Sequence, residues 1–450
     1  MTRPLISYYG DDFTGSTDVM EALASHGIET VLFLQEPDEA LMQRFAGARA
    51  YGLAGTSRSQ SPNWMETHLR TGFQWLKTLN AELCHYKVCS TFDSSVEMGN
   101  IGRAIEIGRA VFGAKTVPLI VGAPQIRRYT AFGELFAAYQ GRNYRIDRHP
   151  VMSRHPVTPM KEANILRHLA HQTSLSAAHL DNVALMAGEE PEKAYMLLID
   201  VLDTATQKAA GSLLWKQLRQ TGSTFVCGSS GVEYALIPAW LAAGLIGEKP
   251  VFEAPGPVDR LAVVSGSVSP TTERQIRHAL SDGFDGVALD PVALSGDESE
   301  ARIADAVSAG LSSLEAGRSV VLYTALGPEA DRGAALDQSG TARHRLGRAL
   351  GRIQVELVSR AGLSRAVVAG GDTSSHALGE MGIAALTLKL PLPQTPGSPL
   401  CVAHGGPVDG LQIALKGGQV GNDDYFSMIR AGGFSATDQK HMIERSGTAA

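Results

Sequence analysis

Residues 5–34 read LISYYGDDFTGSTDVMEALASHGIETVLFL. Residues 5–9 are apolar and aromatic, residues 10–15 break the run, and Ser16 can cap a helix from Thr17 toward Ser25, with Gly27 suited to its C-terminus. TVLFL at 30–34 makes a second strand, so the opening is a strand-helix-strand unit of the kind that builds parallel sheets. The alternation recurs at 50–54, 116–121, 225–227, 261–265, 320–324 and 366–369, most of these runs leading into Gly- or Ser-rich turns. Ligands of such sheets lie beyond the strand ends.

Helical spacing is legible in Ile303, Val307, Gly310, Leu311 and Leu314, and again in Leu346, Leu350, Ile353 and Leu357. Between these faces, 326–345 is polar and glycine-bearing and reads as a long surface loop. GEKPVFEAPGP at 247–257 carries three prolines and no strand or helix period. It is the expected linker, dividing the chain into domains at 1–246 and 258–434, with 435–450 expected to be a disordered tail. The predicted fold class is α/β, with two domains, each a largely parallel sheet flanked by helices. A cleft between the domains is the expected active site.

Bulk properties narrow the function. A chain of 450 residues, 44% hydrophobic and 19% charged, is an ordinary globular composition with material for at least two cores. The formal net charge of -6 argues against nucleic acid as a partner, since binding its phosphates calls for a basic surplus. Cys84, Cys89, Cys227 and Cys401 have neither metal-ligand nor disulfide-framework spacing, and MTRPLISYYGDD lacks the apolar core of a signal peptide. No apolar run reaches the roughly 18 to 20 residues of a membrane span. A cytoplasmic protein without membrane or nucleic-acid partners is expected, and a homo-oligomer is compatible with the sequence.

Asp11 and Asp12 stand where a dinucleotide-binding fold would place its glycine fingerprint. Adjacent carboxylates repel phosphates, but they can accept hydrogen bonds from substrate hydroxyls or take a proton during attack. They can equally cap the helix that follows. KVCSTFDSS at 87–95 gathers a cation, a carboxylate and several hydroxyls. Lys87 can meet a carboxylate, while Ser90, Asp93 and Ser94 satisfy hydroxyls; a solvated turn has the same composition. Arg58, in the turn after the 50–54 strand, is a second candidate carboxylate clamp, or a surface arginine.

In the C-terminal half, Ser269 and Pro270 are apt as N-cap and first helical residue behind Gly266 and Ser267. Such helix starts offer amides and a dipole to phosphate. Gly370 and Gly371 repeat the device, with Asp372 able to hold Mg²⁺ directly or through water, and Gly417, Gly418 and Gly421 form a third glycine turn. Three turns favour a nucleotide, although each alone has a packing explanation. The P-loop pattern, the protein-kinase signatures, the hydrolase nucleophile elbow and zinc-type histidine clusters are all missing.

Taken in order, GDDFTGSTD at 10–18, KVCSTFDSS at 87–95, GNIG at 99–102, HPVTPMKEANILRHLAHQT at 155–173, SGSVSPTT at 265–272, GGDTS at 370–374 and LKGGQVGNDDYF at 415–426 resemble the four-carbon acid sugar kinases. The resemblance runs almost end to end. It implies an N-terminal sugar-acid domain, a C-terminal nucleotide domain, and transfer of a phosphoryl group from ATP to a hydroxyl of a tetronate, a 3-oxo-tetronate or a branched analogue such as 3-oxo-isoapionate. Ser267, Gly370, Gly371, Asp372, Thr373 and Gly418 fall at its ATP-contacting positions, with Gly417 in the same turn. Asp12, Lys87, Ser90 and Asp93 fall in its sugar-acid motifs, Asp11 and Ser94 beside them. Asp12 is assigned as the base. Two departures stand out: Gly417, Gln419 and Val420 replace serine, asparagine and phenylalanine, and GAPQIRR at 122–128 lacks an aromatic-rich, Asn-Gly-Arg pattern. A non-catalytic sensor of the acid and nucleotide is the alternative.

Overall fold

The computed structural model describes residues 3–155, 157–221, 224–330, 341–392, 395 and 397–433, with the side chains of residues 221, 341, 372, 373 and 375 outside that description. The chain forms two compact units, Met1–Pro250 and Val251–Ala450.

In the first unit the strands are β1 (Ile6–Gly10), β2 (Thr30–Phe33), β3 (Ala50–Ala54), β4 (Leu83–Lys87), β5 (Val117–Ile120), β6 (Arg128–Ala131), β7 (Glu134–Tyr139), β8 (Arg142–Arg145), β9 (Ala177–Leu180), β10 (Met196–Ile199) and β11 (Phe225–Gly228). The main sheet runs β2-β3-β1-β4-β11-β5-β10-β9, and every pairing in it is parallel. β1, β2, β4, β5, β10 and β11 are buried along their whole lengths, which explains their near-continuous apolar runs. All their C-terminal ends therefore open on one edge. Gly10, Ala54 and Lys87 end β1, β3 and β4 in register.

β6, β7 and β8 form a separate antiparallel sheet that the sequence reading did not anticipate. Its turns use Phe132-Gly133 and Gln140-Gly141, all four residues at positive φ (52°, 77°, 46° and 81°). That is the backbone of a tight hairpin turn, entered here without the Asn-Gly or Asp-Gly that usually announces one.

The second unit contains β12 (Ala262–Ser265), β13 (Asp285–Ala288), β14 (Val320–Tyr323), β15 (Arg365–Ala369), β16 (Ala385–Leu390), β17 (Leu400–His404) and β18 (Gln412–Lys416). Its order is β13-β14-β12-β15-β18-β17-β16. The pairings from β13 to β18 are parallel, whereas β17 is antiparallel to both β16 and β18. The core gathers Val263, Ile276, Val321, Val367, Ala414 and Phe426, none of them measurably exposed.

Two helix boundaries differ from expectation for physical reasons. The first helix is Phe13–Ala24 rather than one capped by Ser16, because Asp12 is in extended conformation and accepts from the Gly15 amide. Ser16 instead bonds back to the Asp12 carbonyl at 2.7 Å. The helix expected near His376 begins at Gly371, since Gly370 at φ 122° turns the chain straight into it. In the 326–345 stretch a helix, Thr341–Ala361, has begun by Thr341, and residues 331–340 lie outside the described residues, as does the 434–450 tail.

Candidate active site

At the open edge of the first unit, β1, β3 and β4 are tied together just beyond their ends. The Asp11 amide donates to the Lys87 carbonyl at 2.9 Å, the Gly55 amide to Gly10 at 2.9 Å, and the Arg58 amide to the Asp11 carbonyl at 3.0 Å. This lacing brings Asp11, Asp12, Arg58 and Lys87 into one cluster. Arg58 Nε and Nη2 grip the Asp11 carboxylate at 3.1 Å each, and Nη1 holds Asp12 Oδ2 at 2.9 Å. Asp12 Oδ1 meanwhile accepts from the Gly15 amide at 2.8 Å. Asp12 is thus both a helix cap and a member of the ion cluster, with its side chain still 30% exposed. Burial pushes the Asp11 carboxyl above the ordinary range, Arg58 draws it back, and neighbouring Asp12 adds to the rise.

Gly15 is needed at this spot. A Cβ there would collide with Asp12 Oδ1 and stand 2.7 Å from Lys87 Nζ, so a larger residue would push into both groups. The Lys87 side chain is buried, yet among the described residues its ammonium has no carboxylate within 4.0 Å. A buried cation with no close counter-ion is costly unless something anionic arrives. Asp18, on the inner face of the first helix, feels the Lys87 charge, but burial raises its carboxyl overall.

The 87–95 loop continues the cluster. Phe92 is fully buried at φ 57°, a left-handed conformation that a bulky side chain adopts only under strain, of the kind common at ligand-holding turns. Asp93 accepts from the Thr91 hydroxyl at 2.5 Å and the Thr158 hydroxyl at 3.2 Å. Burial alone would raise its carboxyl, but Arg58 and the Thr91 bond hold it below the ordinary range. Ser94 is engaged with His168 and Gln172, each at 2.8 Å, so it braces the loop. Ser90 is buried, and among the described residues its hydroxyl makes no hydrogen bond. Thr158 and Asp18 were missed as site residues, although both lie in stretches whose family resemblance was legible.

In the second unit, β12, β15 and β18 are neighbours, so the three glycine turns lie side by side on one edge. The Gly266 amide donates to Ala369 at 3.1 Å and the Gly370 amide to Lys416 at 2.8 Å. Ser269 caps the helix Pro270–Ser281, accepting from the Thr271 amide. Ser267 accepts from the Thr272 hydroxyl at 2.9 Å, and a Cβ at Gly418 would stand 3.2 Å from Ser267 Oγ. A Cβ at Gly371 would meet nothing within 4 Å.

Lys416, at the end of β18, is fully buried without a carboxylate partner among the described residues. Its ammonium bonds Thr272 Oγ1 at 3.0 Å and the carbonyls of Gly417 and Gly418 at 2.7 and 3.3 Å. Burial pulls its pKa down to about 7. The signal for it was a lysine closing an apolar strand, QIALK, immediately before the glycine turn. The amides of these turns, backed by the positive charge of Lys416, suit phosphate oxygens rather than a bare metal ion. Among the described residues no group of three or more His, Cys, Asp and Glu converges on a metal, while the side chains of Asp372 and Thr373 lie outside the described residues. Among the described residues no helix is long and apolar enough to cross a membrane.

Comparison with known proteins finds relatives for both units. Residues 6–236 fit the family model described as a sugar-binding N-terminal domain, and residues 262–426 that of a nucleotide-binding C-terminal domain. A 3-oxo-isoapionate kinase of Paraburkholderia graminis is 44% identical over 447 residues, covering 95% of this chain and 94% of that protein. A 3-oxo-tetronate kinase of Cupriavidus necator is 29% identical, covering 94% and 96%. Crystal structures of a Salmonella typhimurium LT2 protein (TM-score 0.74, 24% identity, 95% and 98% covered) and a Haemophilus influenzae protein (TM-score 0.68, 22% identity, 94% and 98% covered) share the fold. The chain belongs to the four-carbon acid sugar kinase family, joining a sugar-binding N-terminal domain to a nucleotide-binding C-terminal domain.

Proposed function

We propose that this kinase phosphorylates a hydroxyl of a 3-oxo sugar acid, a branched acid of the 3-oxo-isoapionate type before a linear 3-oxo-tetronate, with ATP as donor. The order follows the greater identity to the relative named for the branched acid. The observation that carries the nucleotide half is the alignment of three glycine turns with buried Lys416 on one strand edge.

The first unit would hold the acid. Lys87, buried without a close counter-ion among the described residues, is the cation available to its carboxylate. Ser90 offers an uncommitted hydroxyl. Arg58, taken up by Asp11 and Asp12, holds those carboxylates in place rather than serving as the clamp expected from sequence. Asp12 is the proposed base: the acid's hydroxyl oxygen bonds to the γ-phosphorus, the bond to the bridging oxygen breaks, ADP leaves, and the hydroxyl proton passes to Asp12. Ser267, Gly370, Gly371, Thr373, Gly417 and Gly418 would surround the phosphates, with Lys416 adding charge. Mg²⁺ carried on those phosphates, with Asp372 as the proposed protein carboxylate, would neutralise charge during transfer.

The test is ADP release with a panel of 3-oxo sugar acids, linear and branched, plus the corresponding non-oxidised tetronates. Turnover is expected with the 3-oxo acids. Turnover only with non-oxidised tetronates would overturn the substrate assignment.

A further inference from the structure

The proposed function leaves the acid's carboxylate without a guanidinium, because the Nε–Nη2 edge of Arg58 faces Asp11 and its Nη1 faces Asp12. Another arginine is built differently. Arg128 begins β6 and is bolted to Ala123, three residues past the end of β5, by two backbone bonds at 2.9 and 3.1 Å. The residue before it, Arg127, is at φ 56°, a strained left-handed conformation that closes the turn and fixes the position of Arg128.

The Arg128 side chain spends one nitrogen on the protein: Nη1 donates to the carbonyls of Ile126 and Arg127 at 3.1 and 3.2 Å. Nε is buried with no acceptor among the described residues. Among the described residues nothing accepts from Nη2 and no carboxylate lies within 4.0 Å of the group. The idle edge, Nε with Nη2, is the one that binds carboxylates through two parallel bonds. Gly228 pairs with Lys87 on one side and with Ile120, the last residue of β5, on the other, so the Ala123–Arg128 pairing just past β5 stands on the same edge of the sheet as the 87–95 loop.

We propose that Arg128 is a specificity-determining residue that receives the carboxylate of the acid on its Nε–Nη2 edge, with Lys87 as companion charge. The inference rests on the first unit binding a sugar acid, as proposed above. It accounts for a guanidinium edge at the open end of the sheet that no acceptor among the described residues engages. It also gives the 122–128 segment, whose sequence departs from the expected motif, a role in reading the acid.

The experiment uses the full chain with Arg128→Met and Arg128→Lys, a 3-oxo tetronate, and its carboxamide, in which the negative charge is removed. Calorimetry without ATP measures binding of each ligand, and steady-state assays measure KM for the acid and for ATP. Arg128→Met is expected to weaken acid binding about 10- to 100-fold, as loss of a paired, charge-assisted contact does. Carboxamide binding and the KM for ATP should change less than about twofold, and lysine should restore only part of the acid affinity. Equal weakening of acid and carboxamide, or unchanged acid affinity in a folded variant, would overturn the assignment. Because calorimetry needs no turnover, failure to consume ATP would count against the kinase reading while leaving the Arg128 result interpretable.

Discussion

Replacing Asp12 by asparagine separates chemistry from architecture. Asp12 Oδ1 accepts from Gly15 at 2.8 Å and Oδ2 meets Arg58 at 2.9 Å. Asparagine keeps the cap, because Asn and Asp are nearly equivalent at that position. The ion pair is lost, but the side chains are 25% and 30% exposed, and pairs that open to water contribute about 0–1 kcal/mol. A domain of this size shifts its Tm by about 2–4 °C per kcal/mol, so a fall of no more than about 4 °C is expected. The loss in turnover should be far larger, about 10² to 10⁴, or roughly 3 to 5 kcal/mol of barrier, because the amide cannot take the hydroxyl proton. Asp12→Ala is the control, since it also loses the cap at about 0.5–2 kcal/mol. Melting and single-turnover transfer are measured on the same preparations. If Asp12 were only a cap, the asparagine variant would turn over at the wild-type rate and the alanine variant would lose stability alone; that pattern would refute the base assignment.

Three further outcomes follow from the geometry. Lys87→Met should raise the KM for the acid much more than that for ATP, and equal effects on both would mark Lys87 as a structural lysine. Gly371→Val should fold normally, because a Cβ there meets no protein atom within 4 Å; it should still weaken ATP binding by about tenfold or more, measured by calorimetry, if phosphate approaches that amide. Burial lowers the Lys416 pKa to about 7, against 10.5 for an ordinary lysine, so between those values the unfolded chain binds more protons than the folded one. Stability of the second unit should therefore rise as pH increases from about 7 toward 10, and Lys416→Met should flatten that rise in denaturant titrations at pH 6 and pH 9.

Much of this was legible in the chain, for identifiable reasons. Strands such as 50–54 and 320–324 announced themselves because both faces are covered and the apolar run is nearly unbroken. β9 and β13 did not, because over only four positions β9 alternates exposed with buried residues, AAHL, and β13 half-buried with exposed ones, DGVA. The hairpins of the small sheet were hidden by Phe132 and Gln140, which stand in left-handed positions without the usual turn chemistry. In the site, the sequence brought Asp11, Asp12, Arg58 and Lys87 into view as chemistry but not as partners. Which carboxylate a guanidinium meets depends on the parallel register of β1, β3 and β4, and composition does not encode that. For the same reason the sequence did not show that Arg58 meets Asp11 and Asp12, or that the Nε of Arg128, at the end of the 122–128 segment, is buried without an acceptor among the described residues.

Phosphoryl transfer from ATP to a 3-oxo sugar acid is tested most directly by mass analysis of the acid after incubation with the protein, ATP and Mg²⁺. A product heavier by one phosphoryl group is expected, formed in step with ADP and absent when ATP is withheld. Recovery of the 3-oxo acids unmodified, with ATP intact, from protein that binds both ligands would contradict it.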